Sequence, residues 1–126
     1  MPIDYRIDST LGIVFTTATG TLTNQELIAH KRRLQEDPAF RAGMGQLSDV
    51  RGVDRLDVTT DGVVQFAQHD ATHAGTLERS KLAIVATEDV IFGMARMYQT
   101  RTSSHRPNVG VFRSLDEATA WLERES

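Results

Sequence analysis

The segment at 81–87, KLAIVAT, is an almost unbroken apolar run of strand-forming residues. A strand with one wet face alternates apolar and polar side chains, whereas a strand covered on both faces reads as a continuous apolar run. The segment therefore predicts a strand inside a covered sheet. Such strands belong mostly to parallel sheets, in which helices connect one strand to the next.

Two further strands are predicted near the start of the chain. In IDYRID, Ile3, Tyr5 and Ile7 alternate with charged residues, which is the period of a half-exposed strand. The segment at 13–20, IVFTTATG, is rich in β-branched residues that favour strands. Because STLG between them is typical of a turn, we expect an antiparallel hairpin.

Helix signals alternate with strand signals through the rest of the chain. Thr23 with Glu26, and Ser114 with Glu117, have the three-residue spacing of a capping box. The expected helices run from Thr23 to Pro38, from about 60 to 74, from about 88 to 102 and from Ser114 onward, with strands at 45–50, 81–87 and 108–112. This order predicts an α/β sandwich with a mostly parallel sheet of about five strands, an antiparallel N-terminal hairpin and about four helices.

The helical period also assigns side chains to faces. Lys31 is expected to face water with the other charged residues of the first helix, and the period places Val90 and Leu115 on core-facing sides. Phe92 lies off the apolar side of its helix. We expect it to be an exposed contact or a lid over a pocket.

Length and composition narrow the class of protein. The 126 residues fit one domain spanning 1–126, and the absence of cysteine excludes disulfides and thiol nucleophiles. A net charge of −3 gives no basic field for nucleic acid. The N-terminus lacks the pattern of a signal peptide and no apolar run is long enough to span a bilayer, so a cytoplasmic protein without a membrane span is expected.

The segment at 49–63, DVRGVDRLDVTTDGV, resembles the signature region of STAS domains, the SpoIIAA-like anti-sigma-factor antagonists. In that family a strand ends in an Asp-Leu-Ser-Gly-Val-like turn, matched here by 49–53, and a helix follows an Asp-Ser-Ser-Gly-like stretch, matched by 57–62. The later segments SKLAIVATEDV and NVGVFRSLDEATAWL are similar to the SpoIIAA-like STAS/SEC14 group of small bacterial proteins. The resemblance covers nearly the whole chain and implies a SpoIIAA-like sandwich.

Thr59 and Thr60 fall where the resemblance implies a phosphorylated serine. A phosphate at a helix N-terminus is favoured by the free amides and the helix dipole, although Asp57 and Asp61 would oppose its charge. Either threonine could instead cap the helix through its hydroxyl. Both interpretations stay open at this point.

A ligand or partner surface is predicted from five residues. Asp49 and Arg51 follow a strand of the predicted sheet, at the carboxyl edge where ligands bind in open α/β folds. Phe92 and Arg96 add an aromatic and a cationic group on the third helix. Asp70 falls within the apolar stripe of the second helix, so it would line a cavity or pair with an arginine.

His69 and His73 have the i, i+4 spacing that zinc sites use on a helix. No H-E-x-x-H pattern and no obvious third ligand accompany them, so two surface histidines are the alternative. Together with Asp70 they suggest a third hypothesis, a hydrolase or metal enzyme.

Three functions are compatible with these patterns. The leading hypothesis is a non-catalytic protein that acts through regulatory protein–protein interaction with an unidentified partner or as a homo-oligomer. The second is a carrier or sensor of a small apolar or lipid-like ligand, and the third is the metal enzyme. The sequence contains no G-x-G-x-x-G, P-loop or G-x-S-x-G, and no cofactor is expected.

Overall fold

The computed structural model describes residues 3–71, 80–104 and 106–124, and only the backbone at 69–71. The strands are β1 (Ile3–Asp8), β2 (Ile13–Thr23), β3 (Gly45–Asp57), β4 (Leu82–Val85) and β5 (Val109–Phe112). The helices of these residues are α1 (Asn24–Glu36), α2 (Thr60–Ala71), α3 (Asp89–Thr102) and α4 (Leu115–Glu123). None of them is both long and apolar enough to cross a membrane.

The five strands form one sheet in the order β1-β2-β3-β4-β5. β1 is antiparallel to β2, and the other neighbours are parallel. The predicted α/β sandwich, with an antiparallel hairpin ahead of a parallel sheet, is therefore confirmed. The assignment of 1–126 to one domain and the cytoplasmic location stay predictions.

The N-caps predicted for the first and last helices are confirmed. Thr23 Oγ1 accepts a hydrogen bond from the Glu26 amide at 3.2 Å, and Ser114 Oγ accepts one from the Glu117 amide at 3.1 Å. These bonds satisfy amides that have no partner inside the helix. The starts of α1 and α4 are thus fixed by local sequence.

The third strand is longer than predicted. It continues through the predicted turn at 49–53 to Asp57, because its second half pairs with the second half of β2. The β2–β3 pairing has two register shifts, at each of which β3 carries one extra residue, and Gly20 lies at the second one with a φ of 70°, a conformation that favours glycine. Gly52 allows close approach of the strands, since a Cβ there would lie 2.9 Å from Thr19 Cγ2. The prediction of a turn at 49–53 is therefore wrong.

The two faces of the sheet are covered differently. The cavity face, which includes Thr16, Ser48 and Ile84, is covered by α1, α2 and α3. The α4 face, which includes Leu47, Ala83 and Val85, packs against Ala118 of α4, with Trp121 and Leu122 at the margin. Alternation along each strand separates the two sets.

Four side chains lie elsewhere than expected from the sequence. Lys31 is buried, with Nζ 4.2 Å from the centroid of the Phe66 ring, because the ring face attracts the ammonium group between α1 and α2. Val90 and Leu115 are 71% and 38% exposed, since each stands in the first turn of its helix rather than over the sheet. Phe92 is half-buried against the core, and the guanidinium of Arg113 lies 4.0 Å above its ring.

Candidate functional site

A cavity of about 140 Å³ lies between the cavity face of the sheet and helices α1, α2 and α3. Most of its wall is aliphatic or aromatic. The strands contribute Ile3, Ala18 and Leu82 among others, and α3 contributes Ile91, Met94 and Ala95. Because protein interiors rarely leave voids larger than a water molecule, this cavity is the feature of the fold that most needs an explanation.

Five polar or charged side chains that are less than a tenth exposed also line the cavity. They are Thr16 on β2, His30 and Lys31 on α1, Gln46 on β3, and Arg106 in the connection between α3 and β5. Buried polar groups are normally hydrogen-bonded or paired. Their contacts therefore indicate what the site can bind.

The two cations are held by aromatic side chains. Lys31 Nζ lies 4.2 Å from the Phe66 ring centroid and 5.9 Å from that of Tyr98. Arg106 Nη1 donates to the Tyr98 hydroxyl at 3.2 Å, and the rings of Phe66 and Tyr98 are 5.2 Å apart. The aromatic pair thus anchors both positive charges at the wall of the cavity.

Thr16 and His30 each have a buried polar side-chain atom that no hydrogen bond within the described ranges holds. Among the described residues, Thr16 Oγ1 and His30 Nδ1 have no hydrogen-bond partner. Burial, and then the charges of Lys31 and Arg33, lower the pKa of His30 to about 4, so its imidazole is neutral at physiological pH. Both side chains border Tyr5, which faces Thr16 across the hairpin and whose ring centroid lies 5.7 Å from that of His30.

Thr59 lies at the start of α2, outside the cavity. Its Oγ1 accepts hydrogen bonds from the Gly62 amide at 3.0 Å and from Asn24 Nδ2 at 3.1 Å, and its own amide donates to Asn24 Oδ1 at 3.2 Å. A Cβ on Gly62 would collide with the end of the Asn24 side chain, so a larger residue there would displace Asn24 from Thr59. This is the geometry of an N-cap, while Thr60 is exposed as the first residue of α2.

Asp49 and Arg51 bind each other along β3. The Nε and Nη2 atoms of Arg51 donate to the two carboxylate oxygens of Asp49 at 2.9 and 2.8 Å. The Arg51 guanidinium therefore holds the pKa of the Asp49 carboxyl below its usual value. In the described part of the chain, no hydrogen bond, ion pair or ring contact joins this pair to Phe92 or Arg96.

Phe92 and Arg96 are both on α3 but in different surroundings. Phe92 is covered by Arg113, which also donates to the Thr87 carbonyl and to Asp89 Oδ1, each at 2.8 Å. Arg96 is exposed. Of the five predicted residues, Asp49 and Arg51 contact each other, Phe92 and Arg96 lie apart from them among the described contacts, and the Asp70 side chain is outside the described residues.

The metal hypothesis falls largely outside the described residues. The side chains of His69 and Asp70 are not described, and His73 lies wholly outside the described ranges. Within 3–68, 80–104 and 106–124, no three side chains of metal-ligating type come together.

The sequence carried a signal for part of the cavity wall. His30 and Lys31 follow Leu27 by three and four residues and precede Leu34 by four and three, so the helical period places them beside the apolar stripe. Thr16 is two residues from both Val14 and Ala18 on β2, so the strand period places it on the same apolar face. Arg106 stands in a connection where no period applies, and only the three-dimensional fold reveals its burial.

The order and direction of the elements define a SpoIIAA-like fold. The sequence matches no protein-family model and no curated protein. Among solved structures it is similar to an uncharacterised DUF3478-family protein with a SpoIIAA-like fold from Shewanella loihica PV-4, with a TM-score of 0.61, 16% identity and coverage of 95% of this chain and 93% of that one. It is also similar to an anti-sigma factor antagonist from Mycobacterium paratuberculosis, with a TM-score of 0.61, 15% identity and coverage of 97% and 95%. The resemblance seen in the sequence is confirmed for the fold.

Proposed function

We propose that the protein is a non-catalytic carrier or sensor that binds a small, largely apolar ligand between the sheet and helices α1, α2 and α3. The observation that carries this proposal is the apolar cavity of about 140 Å³. An apolar protein cavity of about 150 Å³ holds one benzene-sized molecule. The enclosed part of the ligand is therefore about the size of one ring or of a six-carbon chain.

The energetics of the cavity support this proposal. An unfilled cavity lacks the dispersion contacts that a filled interior makes. A ligand that occupies it restores contacts with Ile91, Met94 and Ala95, which no water molecule can do in an apolar space. No carboxylate is among the described lining residues, and this favours binding over acid–base catalysis.

The experiment compares two alanine-to-leucine variants. Ala95→Leu extends a side chain from α3 into the cavity, while Ala120→Leu adds the same atoms to an exposed position of α4. Benzene and toluene, titrated against the labelled protein by NMR, are expected to shift signals of cavity residues in the wild type and in Ala120→Leu. Ala95→Leu is expected to lose these shifts. Absence of binding to the wild type would contradict the proposed function.

A second candidate function is regulatory protein–protein interaction, as the sequence first suggested. One structural neighbour is named an anti-sigma factor antagonist. Val90, 71% exposed at the start of α3, presents an apolar side chain beside the ion pair of Arg113 and Asp89. A partner that covers an apolar side chain next to charges fits the composition of ordinary interfaces.

Substitution of Val90 tests this second candidate. Val90→Arg is expected to remove a co-purifying protein or to reduce the mass of a homo-oligomer measured by light scattering. Leu11→Arg, at another exposed apolar residue, is the matched control and should change neither. Identical partners and identical mass for the wild type and both variants would rule out a role for the α3 surface.

A further inference from the structure

β1 forms one edge of the sheet, since β2 is the only strand of the described chain that pairs with it. An edge strand presents free backbone donors and acceptors, and proteins blunt such edges with proline, bulges, charged side chains or a short length. β1 contains no proline and pairs over all six residues with β2 without a register shift, whereas the opposite edge strand, β5, has four residues. Its protection consists of charged side chains, Asp4, Arg6 and Asp8. Association at this edge depends on whether these charges repel or match an incoming strand.

The backbone groups that point outward from β1 belong to its odd-numbered residues. The Asp8 carbonyl accepts a hydrogen bond from the Gly12 amide at 2.8 Å inside the hairpin, so the groups of Asp8 face β2. Because successive residues of an antiparallel strand point to opposite sides, the outward-facing residues are Ile3, Tyr5 and Ile7. The Ile3 carbonyl accordingly accepts from Arg33 Nη2 of α1 at 3.2 Å. A carbonyl oxygen has two lone pairs, so this bond leaves it able to accept another.

The charges of β1 match those of a second β1 strand in one antiparallel register. Residues directly opposite each other lie on the same face of a sheet, and like charges in such pairs are destabilising. In the register centred on Tyr5, Asp4 of each copy lies opposite Arg6 of the other, and the apolar residues lie opposite one another. The register centred on Arg6, which overlaps equally, places two arginines opposite each other and Asp4 opposite Asp8. The sequence of β1 thus favours the first register.

The two side chains that form these pairs are exposed and weakly engaged within one chain. The Arg6 side chain is 68% exposed, and its guanidinium lies 4.2 Å from the Phe15 ring centroid and 4.0 Å from Asp8 Oδ2. Asp4 is also exposed, and in the described part of the chain no side chain forms a hydrogen bond or ion pair with it. The stack on Phe15 holds the arginine on the α4 face of β1, where Asp4 also lies.

We propose that two copies of the chain associate through antiparallel β1 strands, with Asp4 of each copy opposite Arg6 of the other, and so join their sheets into one. The pairing is isologous, and each contact occurs twice around a two-fold axis at Tyr5. Charge complementarity selects a second copy as the occupant, because β1 read in reverse presents the matching order of charges. Opposite residues share a face, so the cavity faces of both copies lie on the same side of the joined sheet. The inference does not depend on the ligand.

Sedimentation equilibrium at low salt tests the association. The wild type is expected to form a concentration-dependent dimer. Asp4→Arg places an arginine opposite Arg6 of the other copy at two points, and it is expected to raise the dimer dissociation constant about ten-fold. Asp54→Arg makes the same change of charge at an exposed position of β3 and should leave the constant unchanged. The double variant with Asp4→Arg and Arg6→Asp restores opposite charges in the same register and should restore most of the affinity.

The absence of cysteine from the chain allows a direct test of the register. The backbone groups of Asp4 and Arg6 face β2, so the two would form a pair without hydrogen bonds across the new interface. Such pairs have Cα atoms about 4.5 Å apart, which is within the reach of a disulfide. An oxidised mixture of Asp4→Cys and Arg6→Cys is therefore expected to give mainly the mixed disulfide-linked dimer, which also keeps one Asp4–Arg6 pair.

Three results would overturn the proposal. The first is a wild type that sediments as a monomer at every concentration, alone or bound to a different protein. The second is a dimer that Val90→Arg weakens and Asp4→Arg does not, since this assigns association to the α3 surface. The third is a statistical mixture of the three disulfide-linked dimers, which contradicts the register. Benzene binding is measured separately, so failure of the β1 pairing leaves the proposed cavity function intact.

Discussion

The two faces of the sheet are built from the same strands but differ in what they bury. On the α4 face, Leu47, Ala83 and Val85 pack directly against Ala118, and these buried residues are all apolar. On the cavity face, three helices leave a space of about 140 Å³ with Thr16 and His30 in its wall. The alternation of side chains along each strand gives every strand one residue set for each role.

This difference separates stability from function. A close-packed apolar face stabilises the fold, since dispersion contacts and removal of apolar area from water both contribute. The cavity face forgoes part of that stabilisation and also buries polar groups. Structural features that lower stability and persist beside a well-packed core are typical of binding sites.

The largest expected effect is a sensitivity of the cavity face to acid. Above pH 6.5 the His30 imidazole is neutral in both the folded and the unfolded protein, so it has no effect on stability. Below that pH the His30 imidazole is protonated in the unfolded chain, whereas in the folded protein it stays neutral until about pH 4. The free energy of unfolding is therefore expected to fall by on the order of 3 kcal/mol as pH decreases through this window. Urea denaturation at several pH values measures it.

His30→Leu is the control for this acid effect. Leucine fills a similar volume beside Leu27 and Leu34 and does not titrate, so its unfolding free energy should change less between pH 6.5 and 4.5. Asp37 and Asp49 have pKa values lowered from 3.8 in the folded protein, so they lose their stabilisation below this window. Parallel pH curves for the wild type and His30→Leu would show that the histidine is not buried in a neutral form.

A second, smaller effect compares the packing of the two faces directly. Ala118 and Ala95 are helical alanines that are at most a tenth exposed, one against the α4 face and one in the cavity wall. Ala118→Leu is expected to destabilise the protein by about 1–3 kcal/mol, because no space is available for the added atoms. Ala95→Leu is expected to leave stability unchanged or to raise it by up to about 1 kcal/mol, because it fills a void.

Thermal and urea unfolding of both variants supply the measurement. The contrast between the two faces requires that the two substitutions change the free energy of unfolding in opposite directions or by clearly different amounts. Equal destabilisation by Ala95→Leu and Ala118→Leu would mean that the cavity is already filled by shifts of its own wall. The distinction between a packed and an open face would then be lost.

The sequence predicted most of the architecture because the relevant signals are local. Alternation at Ile3, Tyr5 and Ile7 and the capping pairs at Thr23 and Ser114 each depend on neighbours within a few residues. The extent of β3 depends instead on pairing with β2, which lies more than thirty residues away for the pair Thr23 and Asp57. Local sequence therefore predicts a turn at Gly52, whereas this glycine allows β2 and β3 to approach closely.

The cavity could not be predicted because it depends on how three helices are spaced. The helical period shows that Leu27 and Leu34 face inward, and it includes His30 and Lys31 in nearly the same direction. Whether such residues are buried depends on what α2 brings opposite them, in this case Phe66 near Lys31. Periodicity assigns a direction to a side chain, whereas the neighbour across the interface decides its environment.

The smallest expected effect compares the starts of two helices, one on each face. Ser114 at α4 makes one capping hydrogen bond, to the Glu117 amide, whereas Thr59 at α2 accepts one from Gly62 and another from Asn24. Ser114→Ala is expected to lower the free energy of unfolding by about 1 kcal/mol, the usual effect of losing a cap. Thr59→Ala should lower it further, by up to about 2 kcal/mol, because a contact between α1 and α2 is lost as well.

A double-mutant cycle between Asn24→Ala and Thr59→Ala isolates that additional contact. If the contact stabilises the cavity face, the two losses are less than additive, and Thr59→Ser restores most of the wild-type stability by keeping the hydroxyl. Additive losses, with Thr59→Ala no worse than Ser114→Ala, would reduce Thr59 to an ordinary cap. The two helix starts would then be equivalent, and the packing of Lys31 against Phe66 would still join α1 and α2.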